Sequence, residues 1–156
     1  MKKTLLRAGL AMLVLVLLAL PALASGGDDS EPAAQKPADY RAGVQAIKAK
    51  DYHAAIDLMT KAAALNPKDA DAFNYLGYAH RKLGDYDNAM KYYGLALELN
   101  PKHLGAHEYM GEALLELNRL DEAKKHLATL DNLCWLPCEE YRDLKKAVAA
   151  YEKAKK

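Results

Sequence analysis

The sequence predicts an all-α protein, an α-solenoid of three helix pairs followed by a capping helix. The composition is that of a helical globular chain, with 51% hydrophobic and 28% charged residues. Three sets of residues also recur at a spacing of 34, which is typical of stacked helix pairs. They are Gly43, Gly77 and Gly111; Ala55, Ala89 and Ala123; and Pro67 and Pro101.

The N-terminal segment, residues 1–24, has the layout of a secretory signal peptide. Three basic residues stand in its first seven positions, and an uncharged apolar run follows over residues 8–20. Ala22 and Ala24 are the small residues that a signal peptidase reads, so we expect cleavage after Ala24. An uncleaved anchor is the alternative, although the apolar stretch is short for a bilayer. The segment predicts a bacterial periplasmic or secreted protein, with no stable membrane insertion after cleavage.

Residues 25–37 read SGGDDSEPAAQKP and lack apolar periodicity. This composition predicts a disordered tether between the cleavage site and the folded domain.

The charge balance excludes two classes of partner. Residues 1–24 hold three basic and no acidic residues, so the remaining chain has a net charge of about −2. Nucleic-acid binding needs a basic patch that neutralises phosphates, and a polybasic membrane-surface protein needs a similar excess. We therefore expect neither partner.

The middle unit, residues 70–103, closely resembles the tetratricopeptide repeat. The matching residues are Phe73, Leu76, Gly77, His80, Gly84, Asp85, Tyr86, Ala89, Tyr93, Ala96 and Pro101. Gly77 and Ala89 are small where the two helices of a unit cross. Gly84 suits the left-handed turn between the helices, and Pro101 ends the second helix.

The first and third units, residues 36–69 and 104–137, depart from the pattern at a few positions. Asp39 and Ala42 replace a bulky residue and a leucine, as an edge repeat with one face in water allows. Asn118 replaces the inter-helix glycine, and asparagine tolerates a left-handed turn. The resemblance implies that the repeats occupy residues 38–133.

Residues 134–156 form a cysteine-containing junction and a capping helix. An apolar stripe runs along this helix at spacings of three, four and three, and it predicts a face that covers the last repeat. Its members are Tyr141, Leu144, Val148 and Tyr151.

The resemblance implies a concave groove lined by the first helix of each pair, which binds a peptide or a protein partner. The implied lining residues are Tyr40, Val44, Ile47 and Lys48; Asp71, Asn74, Tyr78, Arg81 and Lys82; and Glu108, Glu112, Leu115 and Glu116. This lining changes from apolar and aromatic through basic to acidic, and such a gradient would orient a peptide.

Three residues of the groove are the preferred contacts. Tyr78 and Arg81 are of types enriched at binding hot spots, and Asn74 can pair with a ligand backbone. Some members of the family clamp a chaperone's C-terminal carboxylate with Lys, Asn and Arg. Tyr40 and Val44 occupy the first two positions of that clamp, so we expect it to be absent here.

Cys134 and Cys138 lie four residues apart in a chain expected to be exported, which favours a disulfide at the start of the capping helix. A soft-metal site or a redox pair is the alternative, although no third ligand is near in sequence. Trp135, between the cysteines, either packs against the cap or is an exposed contact residue.

The histidines and serines offer no catalytic or metal motif. His103 and His107 have a metal-compatible spacing, but His107 occupies a core position of its repeat, so packing is favoured. His53, His80 and His126 are isolated in the sequence. Serine occurs only at Ser25 and Ser30, in the tether, and no phosphate loop or zinc-protease motif is present. We expect a protein without enzymatic activity or cofactor.

The sequence therefore favours a periplasmic adaptor or scaffold that binds a peptide or partner protein. Two alternatives stay open: a self-assembling structural module, and a metal or redox accessory protein that acts through Cys134 and Cys138. The sequence does not indicate the oligomeric state.

Overall fold

The computed structural model describes residues 36–155, which form seven α-helices and no strand within that range. The helices are α1 (Ala38–Lys48), α2 (Tyr52–Leu65), α3 (Ala70–Lys82), α4 (Tyr86–Leu99), α5 (Leu104–Glu116), α6 (Leu120–Leu133) and α7 (Glu139–Ala154). Three helix pairs and a capping helix were predicted, and this all-α solenoid is confirmed.

Local chemistry explains where the helices begin. The carboxylates of Asp51, Asp69 and Asp85 accept hydrogen bonds from backbone N–H groups in the first turns of α2, α3 and α4. These N–H groups have no partner within their helix, so an N-terminal cap stabilises each start by about 1 kcal/mol.

The turns inside the three helix pairs share one conformation. Gly84 and Asn118 have positive φ angles of 79° and 60°, as their residue types predicted. Lys50 has a φ of 61° at the equivalent position of the first pair, although lysine gives no sequence signal for it. The 34-residue period thus places a left-handed residue in every pair.

Two of the repeated glycines lie where the helices of one pair cross. A Cβ at Gly77 would lie 2.6 Å from ring carbons of Tyr93, and one at Gly43 would lie 2.9 Å from the Cε of Met59. The third crossing differs. A Cβ at Gly111 would meet Leu144 of α7 at 2.6 Å. The capping helix therefore packs directly on α5 and uses the space that Gly111 leaves.

The capping helix buries the stripe that its sequence predicted. Leu144 and Val148 are buried with Leu114 and Leu130, and Tyr141 and Tyr151 pack at the margin of this cluster. Burial of such side chains contributes about 1.5–3 kcal/mol each. The α7 helix is thus an integral layer of the solenoid.

The N-terminal boundary lies at Lys36, which the sequence placed both at the end of the tether and at the start of the first unit, residues 36–69. Lys36, expected at the end of the tether, is buried, and its Nζ donates to Asp69 at 2.7 Å and to Asp71 at 3.3 Å. A lysine charge buried beside two carboxylates is held in the fold, so the folded domain already includes Lys36. The expected signal peptide and residues 25–35 of the tether lie outside the described residues. Within the described range, no helix is long and apolar enough to cross a membrane.

Candidate functional site

The candidate site is a groove between α3, α5 and α7, and it contains a pocket of about 410 Å³. The first helices of the second and third pairs and the capping helix contribute to it. The pocket is lined by Arg81, Lys82, Glu112, Leu115, Glu116, Ala147 and Tyr151. Five residues of the predicted groove lining are brought together there: Arg81, Lys82, Glu112, Leu115 and Glu116.

The predicted groove residues divide into accessible and buried ones. Val44, Ile47, Tyr78 and Glu112 are partly exposed and are open to a ligand. The buried ones are Tyr40, Asn74, Arg81 and Glu108.

Tyr40 is a core residue, since its ring is only 7% exposed. It meets the ring of Tyr75 edge to face at 5.9 Å, and the Nζ of Lys36 lies 4.7 Å from its centroid. Its predicted role as a ligand contact is therefore not available in this conformation. The resemblance assigned a position in the repeat, but it did not show that Lys36 and Tyr75 would cover the ring.

Arg81 is 4% exposed and is held by two carboxylates of α5. Its Nη2 donates to Glu112 at 2.6 Å, and its Nη1 donates to Glu116 at 2.9 Å. The guanidinium also lies 5.7 Å and 5.9 Å from the ring centroids of Tyr78 and Tyr109. Of the two basic residues in the expected gradient, Arg81 is therefore neutralised inside the protein, whereas Lys82 is exposed and lines the pocket.

Glu108 lies one turn before Glu112 on α5 and is 9% exposed. No hydrogen bond or ion pair holds its carboxylate among residues 36–155. Burial, together with the negative charges of Glu112, Asp143 and Glu140, raises the pKa of Glu108 to about 8. A buried carboxylate without a partner is costly, so this residue is unusual in the fold.

Asn74 of α3 is a second buried polar group with an unsatisfied atom. The side chain is 5% exposed, and its Oδ1 has no hydrogen-bond donor in the described part of the chain. Its Nδ2 lies close to Gly105, 3.3 Å from where a Cβ there would stand. Gly105 comes one turn before Glu108, so Asn74 and Glu108 lie in the same region of the α3–α5 interface.

Aromatic rings form the wall between these groups. The centroids of Tyr78 and Tyr109 are 5.0 Å apart, and Tyr52 meets Tyr78 edge to face at 6.2 Å. Sequence reasoning missed Tyr109 and the α7 residues that face the groove. A signal existed for α7, because Asp143, Ala147 and Tyr151 follow each other at intervals of four and share one helix face.

Four of the five histidines, namely His80, His103, His107 and His126, form hydrogen bonds within the fold. His107 was expected to pack, and it is buried. Its Nε2–H donates to the carbonyl of Pro101 at 3.0 Å, which leaves Nδ1 to accept from the Nδ1–H of His126 at 2.9 Å. His126, isolated in sequence, is thus brought to His107. His103 instead bonds Asp71 at 3.0 Å and caps α5 through Ala106, so His103 and His107 do not act together.

Cys134 and Cys138 form the predicted disulfide, with an S–S distance of 2.07 Å. Trp135 and Leu136 inside this loop are 95% and 70% exposed. Of the two interpretations of Trp135, packing against the cap is wrong. Among the described residues, no group of three His, Cys, Asp or Glu side chains is placed to hold a metal ion.

Paired helices, a regular spacing of 34 residues between equivalent positions and a groove between the helices define a tetratricopeptide repeat protein. A family model described as "Anaphase-promoting complex, cyclosome, subunit 3" matches residues 48–130. This range is more than half of the chain, and the chain belongs to that family. No curated protein matches the sequence.

Solved structures show the same fold. The first TPR domain of Spaghetti (RPAP3), bound to the HSP90 peptide SRMEEVD, is 26% identical with a TM-score of 0.64, over 73% of this chain and 90% of that one. The first TPR domain of human RPAP3 is 26% identical with a TM-score of 0.61, over 74% and 94%. The Yersinia enterocolitica translocator chaperone SycD is 21% identical with a TM-score of 0.67, over 75% and 83%.

Proposed function

We propose that this protein is a non-enzymatic adaptor or scaffold that binds a peptide or partner protein in the groove between α3, α5 and α7. The observation that carries the proposal is the pocket of about 410 Å³, which combines apolar and aromatic walls with charged groups. Pockets of this size and chemistry accommodate one or two side chains of an extended ligand.

The similarity to a peptide-bound domain supports this proposal. The RPAP3 domain, 26% identical to this chain, is described with an HSP90 peptide bound. The ligand of this chain differs, because Arg81 is already paired with Glu112 and Glu116.

We also propose that the protein acts in the bacterial periplasm or outside the cell. The signal-peptide layout of residues 1–24 and the disulfide between Cys134 and Cys138 support this location. N-terminal sequencing of the protein purified from a periplasmic fraction is expected to begin at Ser25. A mature chain that begins at Met1 in the cytoplasmic fraction would contradict the proposal.

Crosslinking capture from the expressing cell's periplasm tests the groove. Tyr78 and Lys82 form a pair on α3 at the groove, with Nζ 5.2 Å from the ring centroid. Lys91 and Tyr92 form a similar pair on α4, at 5.6 Å, and Tyr92 packs on Phe73 outside the groove. The variant Tyr78→Ala/Lys82→Ala and the control Tyr92→Ala/Lys91→Ala lose comparable contacts.

We expect the wild type and the α4 control to retain the same partner and the α3 variant to lose it. Retention by all three proteins would contradict the groove assignment. Capture of only further copies of this chain would favour the self-assembling module instead. Arg81 is left unchanged, because its replacement would strand two carboxylates and disturb the fold.

A further inference from the structure

The α5 and α7 helices present carboxylates to the same part of the groove. Glu108, Glu112 and Glu116 follow at intervals of four along α5. Glu112 and Glu116 line the pocket, so Glu108 continues the same face by one turn. Asp143 and Glu140 of α7 lie close enough to Glu108 to act on it electrostatically.

The guanidinium of Arg81 in this region is already paired, and the other cation of the pocket lining is the exposed Lys82, whose Nζ lies 5.2 Å from the ring centroid of Tyr78. Arg81 bonds Glu112 and Glu116 with separate nitrogens, so its guanidinium satisfies these two carboxylates. Glu108 receives no such bond within residues 36–155, although it is the most buried of the three. A carboxylate in this state lacks a cation rather than a further anion.

A second, independent observation lies on the neighbouring helix. The Oδ1 of Asn74 is buried without a donor, on the α3 side of Gly105. Glu108 and the Oδ1 of Asn74 are both acceptors to which no residue within 36–155 donates, and the other buried atoms without a partner in that range are the Nε of Arg81 and the hydroxyl of Tyr93. An amide oxygen and a carboxylate without donors together fit a ligand that carries several N–H groups.

The adjacent aromatic wall suits the same ligand. Tyr78 and Tyr109 already stack with the cation of Arg81 at 5.7 Å and 5.9 Å. Tyrosine faces attract ammonium and guanidinium groups, and they pack against the methylene groups of such side chains.

We propose that the groove binds an extended basic peptide, and that Glu108 forms an ion pair with a Lys or Arg side chain of that peptide. This inference rests on the proposed peptide-binding function and specifies its ligand. The ligand is thus opposite in charge to the acidic SRMEEVD peptide described with the RPAP3 domain. An acidic peptide would meet the carboxylates of Glu108 and Glu112, and Lys82 at the exposed margin of the pocket is the cation left to receive it, since Arg81 is paired.

Binding should depend on pH, because only ionised Glu108 forms the ion pair. The groups that face Glu108 are Arg81 and Tyr78 of α3, Glu112 and Tyr109 of α5, and Glu140 and Asp143 of α7. With a pKa of about 8, Glu108 is mostly protonated at pH 6. We expect the affinity for a basic peptide to fall about tenfold per pH unit below pH 8, with proton release on binding.

The test is selection of random peptides on the purified protein at pH 8. A selected peptide is then synthesised with blocked termini, and its affinity is measured by calorimetry at pH 8 and pH 6. A second version replaces the enriched Lys or Arg with norleucine. The protein variants are Glu108→Gln, which keeps the shape of the side chain, and Glu98→Gln, an exposed control on α4.

We expect selection of peptides with one fixed Lys or Arg. Their affinity should fall at least tenfold with norleucine or with Glu108→Gln, and Glu98→Gln should have no effect. Selection of peptides with no preference for Lys or Arg would overturn this inference and leave the proposed function intact. Equal affinity for wild type and Glu108→Gln would overturn the role of Glu108. Selection of no peptide at all would contradict the proposed function itself.

Discussion

The two ends of the solenoid treat buried charge in opposite ways. At the N-terminal end, the Nζ of Lys36 bonds Asp69 and Asp71, and Asp71 also bonds His103 at 3.0 Å. At the C-terminal end, Glu108 lies buried beside further carboxylates and has no cation of its own among the described residues. The same fold thus contains one satisfied charge network and one unsatisfied carboxylate.

The pKa values of Asp71 and Glu108 reflect this difference in pairing. The hydrogen bond from His103 lowers the pKa of Asp71, and the charge of Lys36 lowers it further against the effect of burial. Burial raises the pKa of Glu108 to about 8. Paired charges fasten the first repeat to the second, whereas an unpaired buried charge costs stability and is typical of a binding site. The comparison therefore separates structural polar residues from candidate functional ones.

The largest expected effect comes from a substitution at the crossing of α3 and α4, in the middle of the solenoid. Gly77→Leu would force a side chain into the ring of Tyr93, which is fully buried and 2.6 Å from the Cβ position. We expect a loss of about 4 kcal/mol or more, measured by urea unfolding. In the control Gly94→Leu, nothing lies within 4 Å of the Cβ position, so Tm should change by a few degrees at most. Equal Tm values for the two variants would contradict the helix crossing.

The second-largest expected effect follows from removal of the paired charge of Lys36. Lys36→Met keeps most of the side chain but leaves the buried Asp69 without its cation, and we expect a loss of about 2–3 kcal/mol at pH 7. The matched control is Lys124→Met, since the Lys124–Glu152 pair is exposed at 47% and 41%. It should cost less than about 0.5 kcal/mol in the same unfolding assay. A similar loss in both variants would show that Lys36 is not docked as described.

Replacement of the unpaired Glu108 is expected to change stability in the opposite direction. Glu108 has a pKa of about 8 in the folded protein and an ordinary value near 4.5 in the unfolded chain. The folded state therefore retains a proton that the unfolded chain releases, and stability falls as pH rises from 4.5 to 8. We expect Glu108→Gln to gain a few kcal/mol of stability relative to wild type between pH 5 and pH 8.5, since each unit of pKa shift corresponds to about 1.4 kcal/mol. A variant less stable than wild type at pH 8.5 would mean that Glu108 has a partner.

The smallest effect concerns a polar pair that is satisfied without charge. Burial and, to a smaller extent, the neighbouring His107 lower the pKa of His126 to about 4. The unfolded chain takes up this proton first as pH falls from 6.5 to 4, so stability declines over that range. His126→Asn retains a donor to His107 but does not titrate. When His126→Asn is introduced into the Glu108→Gln protein, the loss of unfolding free energy between pH 6.5 and pH 4 should be smaller by about 1 kcal/mol. The free energy is measured by thermal unfolding at each pH. An unchanged slope would assign the acid sensitivity to other groups.

The sequence predicted the seven helices, the left-handed turns at Gly84 and Asn118, the burial of the capping stripe and the disulfide. These features depend on neighbours in the chain or on a fixed repeat, so a single sequence contains them. The resemblance to the repeat family also implied which positions of the first helices line the groove. It did not predict which of them are open to a ligand. Tyr40 is covered by Lys36 and Tyr75, which belong to the preceding segment and the next repeat.

The candidate site depends on side chains that are distant in sequence. Arg81 is separated by 31 and 35 residues from its partners Glu112 and Glu116. A sequence counts such charges but does not show which of them neutralise each other. Residue types and periodicity thus determined the solenoid and its groove. Only the tertiary structure decided that Arg81 is paired and Glu108 is not, because pairing and desolvation depend on distances between helices rather than on positions within one.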